Sequence, residues 1–284
     1  MQINGIILVN KERGISSNKV VNKVKYLLGA SKAGHLGTLD VLGEGLLPVT
    51  LGKGTKLFEY FLNKDKVYKT TFRFGETTET LDLEGPITQR NDIIVSIDDI
   101  NKVIHKFIGK INQLPPLFSA KKVHGQTAYS LARQGKDVDL KPKEIEIYSI
   151  KCLKQIEKNT FEFEIHCSSG TYIRSICRDL AFELGTYGVM LNIIRTKCGI
   201  FSLNNAFTLK QIENKNYEVL PLDSIFLNYK QIVLNKNDTK KLLNGLQINY
   251  NENDGKYRCY DNEKNFLGLI EISNKKIKFE VRLI

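Results

Sequence analysis

The stretch richest in chemistry is short. Gly34-His35-Leu36-Gly37-Thr38-Leu39-Asp40, followed by Gly45, Leu47-Pro48-Val49 and Gly52, sets one carboxylate in a glycine-rich loop. Glycine lets a backbone come close to a ligand, and an aimed carboxylate can act as nucleophile or base. The plainer alternative is a turn or helix cap. Neither a P-loop nor a dinucleotide fingerprint fits, because the glycine spacing is wrong and no Lys-Ser/Thr pair follows. Arg174 follows the small-residue turn Ser168-Ser169-Gly170 and could reach back to Asp40, where a guanidinium orients a carboxylate and favours its charged form. Its competing use is a solvated pair with Asp179. Tyr68 heads an alternating run and offers a ring for stacking and a hydroxyl, or a core side chain. The acidic run Glu76, Glu79, Asp82 and Glu84 lacks the glycine pattern of a calcium loop and reads as a turn supported by Thr78, Thr80 and Asp82. Five cysteines without a C-x-x-C pair and four histidines complete no zinc pattern, so no metal is expected.

The elements that must position these residues follow from periodicity. Ile6 to Val9 reads as a strand, and Ser16-Ser17 caps a helix carrying Val20, Val21, Val24, Leu27 and Leu28 up to Gly29. Residues 33–54 hold six glycines and predict a loop and a buried strand. Tyr68 to Phe74 and Phe161 to Cys167 alternate as half-buried strands. Ser96 with Asp99 resembles a capping box opening a helix that runs to Gly109. Residues 113–135, rich in Pro, Ser, Lys and Gly, predict an exposed loop, and Ile173 to Leu184 a helix. Strands and helices interleave without strict βαβ repetition, giving an α+β class. After Leu220-Pro221-Leu222-Asp223 the texture shifts to short strands and turns, with one helix opened by Asp238 and closed by Gly245, so a second domain is placed at 229–284.

Composition bounds the partners. The chain has 284 residues, 42% apolar and 26% charged, with a net charge of +11, which excludes a disordered or collagen-like chain. No apolar run approaches the roughly 20 residues of a membrane helix. The N-terminus lacks a basic start and a long apolar middle, so a cytoplasmic location is expected. The excess of positive charge favours polyanionic partners such as nucleic acid.

Five ordered motifs add a resemblance. Gly34, His35, Gly37, Thr38, Leu39, Asp40, Gly45, Leu47, Pro48 and Val49 resemble the signature of the TruB family of tRNA pseudouridine synthases, departing at Val41, where proline is usual, and at Gly43, where alanine is usual. Lys11, Gly14, Ser16 and Ser17 match its opening block, with Glu12 in place of proline. Tyr68, Gly75, Thr78, Thr80, Asp82 and Gly85 match its strand and turn. Gln113 to Pro116, Ser119-Ala120-Lys121-Lys122, Gly125, Tyr129, Ala132-Arg133 and Gly135 match its RNA-gripping insert, placed at about 113–145. Cys167-Ser168-Ser169-Gly170-Thr171-Tyr172-Ile173-Arg174 matches its last block, with Ser169 replacing lysine.

The resemblance implies a catalytic domain at 1–228 with a mixed, mainly antiparallel sheet flanked by helices and loops, and a small PUA-like β-barrel at 229–284. It implies isomerisation of the T-loop uridine at tRNA position 55, with Asp40 catalytic, Arg174 and Tyr68 beside it, and no cofactor. Tyr172 and Ile193 fall where family members contact the base, Ile193 replacing leucine, and His35 where the family fills the gap left by the flipped base. Lys121 and Lys122, with Arg133, Lys136, Lys141 and Lys143, suit phosphate contacts. The implied partner is the tRNA T-arm stem-loop, engaged by a monomer with neither membrane nor guide RNA. A relative working in a guide-RNA complex and a non-catalytic RNA-binding protein stay open as rivals.

Overall fold

A computed structural model describes residues 3–62, 64–119, 121–123, 125–135 and 138–284. Among these, nine strands form one sheet. Its main path runs through Gly5–Lys11, Glu44–Leu51, Gly188–Cys198, Lys66–Phe74, Thr160–Cys167, Lys143–Glu157 and Gly109–Gln113, with Ala33–His35 and Phe201–Ser202 paired at its flank. Neighbours are antiparallel apart from one short parallel contact, Ile194 with Glu44 and Arg195 with Gly45. This is the mixed, mainly antiparallel sheet that the sequence leads one to expect.

Alternation explains the central strands. Phe72, Phe161, Phe163 and Ile165 are fully buried on one face, with the Phe72 and Phe163 rings 4.8 Å apart. Helices cover that face through the expected stripes: Val20, Val21 and Val24 of Ser17–Leu27, and Ile173, Ile176, Cys177 and Leu180 of Ile173–Glu183. Ser16 accepts from the Lys19 N–H at one helix start, and Ser96 with Asp99 forms the reciprocal box at another. That second helix, Ile97–Ile104, stops short of Gly109 because its last turn tightens into the 3-10 segment His105–Phe107.

Two expectations need correction. Residues 113–135 are not all loop: Lys122–Val123 pairs with Gln126–Thr127, and Ala128–Arg133 is a helix whose first N–H bonds the Lys121 carbonyl. Turn-forming residues around it masked the helix-forming run Tyr129 to Arg133. Ala120 and Lys136 lie outside the described residues, as does the side chain of Lys122. In the C-terminal region, Gln231–Val233, Gly255–Tyr260, Phe266–Ser273, Lys276–Arg282 and Ile248–Asn249 form the curled half-barrel sheet expected of a small PUA-like unit. Its helix Lys236–Leu243 is capped by Asn235 and not by Asp238, whose N–H the asparagine side chain binds. The half-barrel joins the larger unit through one apolar cluster that includes Leu269, Leu283, Ile6, Leu8 and Phe226.

The parallel contact depends on a glycine. Gly45 has φ +93°, and a Cβ there would sit 2.5 Å from the Arg195 carbonyl oxygen. Gly45→Ala is therefore expected to lower unfolding free energy by about 2 kcal/mol or more in urea titration, from backbone strain and clash together; an unchanged midpoint would contradict this packing.

Candidate active site

The period of two in adjacent strands aims side chains at one spot. Lys66 and Tyr68 alternate on their strand, and Tyr68 is in register with Arg195, two residues from Ile193 on the neighbouring strand. Opposite them, the loop between Ala33–His35 and Glu44–Leu51 carries Asp40. Between these walls lies a cavity of about 480 Å³, lined by Asp40, Tyr68, Tyr172, Arg174, Ile193 and Lys121 among others. That volume falls within the range of small-molecule sites, about 300 to 1,000 Å³.

Asp40 and Arg174 meet as the sequence suggests. Arg174 Nη2 lies 2.9 Å from Asp40 Oδ2; the arginine side chain is 8% exposed and the aspartate 52%. The alternative pair is not made, since Asp179 bonds Arg178. Arg174 has a second anchor that sequence reading missed. Its Nη1 donates to the Thr80 carbonyl at 3.0 Å and sits 3.3 Å from Asp82 Oδ2, which is buried. Asp82 is itself fixed by the Thr80 hydroxyl at 2.6 Å and the Glu84 N–H at 3.0 Å. The threonine-supported turn is therefore present, and it braces the arginine.

The aspartate loop is held by three side chains from elsewhere. Ser17 accepts from the Leu39 N–H and donates to the Leu39 carbonyl, at 2.9 and 2.8 Å. Lys11, fully buried, donates to the Val41 and Gly43 carbonyls; burial pulls its pKa down to about 8. Arg195, also buried, donates to the carbonyls of Leu46 at 2.8 Å, Gly37 at 3.0 Å and Thr38 at 3.4 Å. Neither Arg195 nor Lys66 carries a motif signal, and only their alternation with apolar strand residues hints that they point inward. Tyr68 is nearly buried, and burial raises its hydroxyl pKa to about 12 while the positive charge of Arg195 opposes that rise.

Other expected residues fall around this centre. The backbone of Tyr172 is clamped by Gln113, whose Oε1 accepts from the Tyr172 N–H at 2.8 Å and whose Nε2 donates to its carbonyl at 3.1 Å. Gln113 is in register with Lys143, so the two ends of the insert meet beside the cavity. Lys121 lines the cavity and donates to the Lys141 carbonyl at 2.8 Å. The Lys143 ammonium lies over Gly170, 2.7 Å from where a Cβ would sit, and glycine there has φ +83°. His35 lines a neighbouring cavity of about 190 Å³ that shares Gly37, Thr38, Lys66 and Ser169 with the first. Its Nδ1 is buried without a partner among the described residues, and burial together with Arg195 lowers its pKa. Five cations line the larger cavity, and Asp40 is the acidic residue among its described lining. No group of three or more His, Cys, Asp or Glu that could hold a metal occurs among the described residues.

Comparison with known proteins decides the family. Residues 25–173 match the model for TruB family pseudouridylate synthase (N terminal domain). A tRNA pseudouridine synthase B of Francisella philomiragia subsp. philomiragia is 37% identical over 287 residues, spanning 98% of this chain and 94% of that protein. The chain belongs to the TruB family. Another relative of this TruB-family chain, the tRNA pseudouridine synthase B of Francisella tularensis subsp. holarctica, is 38% identical over the same shares. Its fold is shared with a chain of a Cbf5-Nop10-Gar1 complex, at a TM-score of 0.71, 22% identity and coverage of 99% of this chain and 85% of that one. A chain of an H/ACA RNP bound to a substrate RNA containing 2'-deoxyuridine gives a TM-score of 0.70 at 20% identity.

The bracing of Arg174 is testable by stability. Asp82→Asn leaves a buried guanidinium short of one charge and is expected to cost about 3 kcal/mol in urea unfolding. Thr80→Val removes one hydrogen bond to Asp82 and should cost about 1 kcal/mol.

Proposed function

We propose that this chain isomerises uridine to pseudouridine in tRNA, at the T-loop uridine of position 55, with Asp40 as the reacting carboxylate. The observation that carries the reading is the Asp40–Arg174 pair: a half-exposed carboxylate held by a buried cation at the floor of a cationic cavity. The reaction breaks the N1–C1′ bond, turns the uracil and joins C5 to C1′, with no change of oxidation state. It needs a carboxylate near C1′ and shelter from water, and these residues offer both without a cofactor.

The remaining roles are assigned from the family resemblance. Tyr68 stacks on the base and sets its hydroxyl near the reacting carbons, while Tyr172 and Ile193 flank it. A stacked uridine must leave its helix to enter, and His35 occupies the gap. Lys121, Lys122 and Lys143 hold backbone phosphates. Residues 1–228 form the catalytic domain, with the insert at about 113–145, and 229–284 a PUA-like domain that grips the acceptor side of the tRNA. The chain works as a monomer in the cytoplasm. Relatives named tRNA pseudouridine synthase B along 98% of its length support a stand-alone enzyme without guide RNA. Among the described residues no helix is long and apolar enough to cross a membrane.

The decisive measurement is tritium release from C5-labelled uridine in unmodified T-arm RNA. Wild type is expected to release tritium, and Asp40→Asn to lose at least about a thousandfold of that rate with tRNA affinity retained; equal release by the variant would remove Asp40 from the mechanism. Changing Lys121 and Lys143 together to Ala is expected to weaken binding and flatten its salt dependence by about one to two phosphate contacts, read from binding isotherms across salt concentrations.

A further inference from the structure

Two cations in the cavity wall have no acid to answer them. Lys66 is 6% exposed and Arg195 1%, and among the described residues neither has a carboxylate at ion-pair distance. Asp65, next to Lys66, is 2.6 Å from His166 Nε2, and Asp40 is paired with Arg174. Arg195 spends its donors on the Leu46, Gly37 and Thr38 carbonyls, which bind a cation without neutralising it. Lys66 gives one donor to the Lys64 carbonyl at 2.6 Å and has two left. The Lys66 stem and the Arg195 guanidinium both lie against Gly37, at the wall common to the two cavities. Buried charge without a counter-charge is costly. A fold that keeps such charge beside a binding cavity is pre-set for negative charge arriving or forming there.

Pseudouridine formation makes that charge. When N1–C1′ breaks, both bonding electrons stay on N1, and the uracil departs as an anion spread over N1, O2 and O4. The electron-poor C1′ is captured by the Asp40 carboxylate, or is relieved when Asp40 takes the C2′ proton. By either route one negative charge leaves Asp40 and one appears on the base. When C5 later bonds C1′, the base gives up its negative charge and Asp40 recovers it, as the Asp40–C1′ bond breaks or as Asp40 returns the proton to C2′; the C5 proton then leaves and N1 takes one up. Arg174 answers the charge on Asp40 only.

We infer that Lys66 is a further catalytic residue, donating an N–H to the departing uracil anion with the unneutralised charge of Arg195 behind it. This rests on the target uridine occupying the Asp40 cavity. Burial lowers the Lys66 pKa, with Arg195 adding to the effect, and a base anion alongside would raise it again.

The experiment compares single-turnover rates for uridine and for 5-fluorouridine at the target position, read by nucleoside analysis after digestion, in wild type, Lys66→Met, Lys66→Arg and Asp40→Asn. Fluorine stabilises the detached base as an anion, so the enzyme's own stabilisation matters less. Lys66→Met is expected to slow uridine by about a hundredfold and 5-fluorouridine by at least about tenfold less, with tRNA affinity and melting temperature held. Lys66→Arg should recover most of the uridine rate. An equal loss on both substrates, an unchanged rate, or weaker tRNA binding with intact turnover would each overturn the role of Lys66; the last outcome would make it a phosphate contact. Asp40→Asn separates the two readings, since activity in that variant would remove the cavity assignment itself.

Discussion

A guanidinium buried under a half-open cavity is the constraint from which the rest follows. Asp82 gives Arg174 a second, buried carboxylate and Thr80 a carbonyl, so the arginine does not depend on Asp40 alone. Asp40 is then free to stay 52% exposed while its orientation remains fixed. The cost of the buried charge is thus met by a turn distant in sequence, and the Asp40 carboxylate stays open to the cavity.

The aspartate loop obeys the same logic with the opposite sign. Lys11 and Arg195 hold it at both flanks of Asp40 through backbone carbonyls. A carbonyl positions a cation but leaves its charge in place, so the scaffold that fixes the loop also sets a positive potential around it. Geometry and electrostatics come from the same side chains, so a substitution that disturbs one disturbs both.

Much of this was legible in the sequence because it was local. Alternation in Tyr68 to Phe74, the Ser96–Asp99 box and the turn before Arg174 each depend on residues within a few positions, and each appears as read. The long strand Lys143–Glu157 gave no such signal, since irregularities in its pairing with Thr160–Cys167 break its alternation. Asp82 reads as a turn residue, and nothing near it in sequence announces Arg174. Lysine and arginine belong mostly to the surface, so no motif in the sequence singles out Lys66 and Arg195. Only the register of two strands, fixed by the folded sheet, brings them inward.

The pairing of Gln113 with Lys143 beside Tyr172 makes the intervening segment a cassette. With both ends clamped in register, additions or deletions between them cost little closure entropy and leave the wall formed by the sheet strands and the Asp40 loop in place, while Pro115 and Lys121 bring the segment itself to the cavity. Surfaces of different length and composition could be exchanged on this root over evolutionary time without rebuilding the sheet beneath.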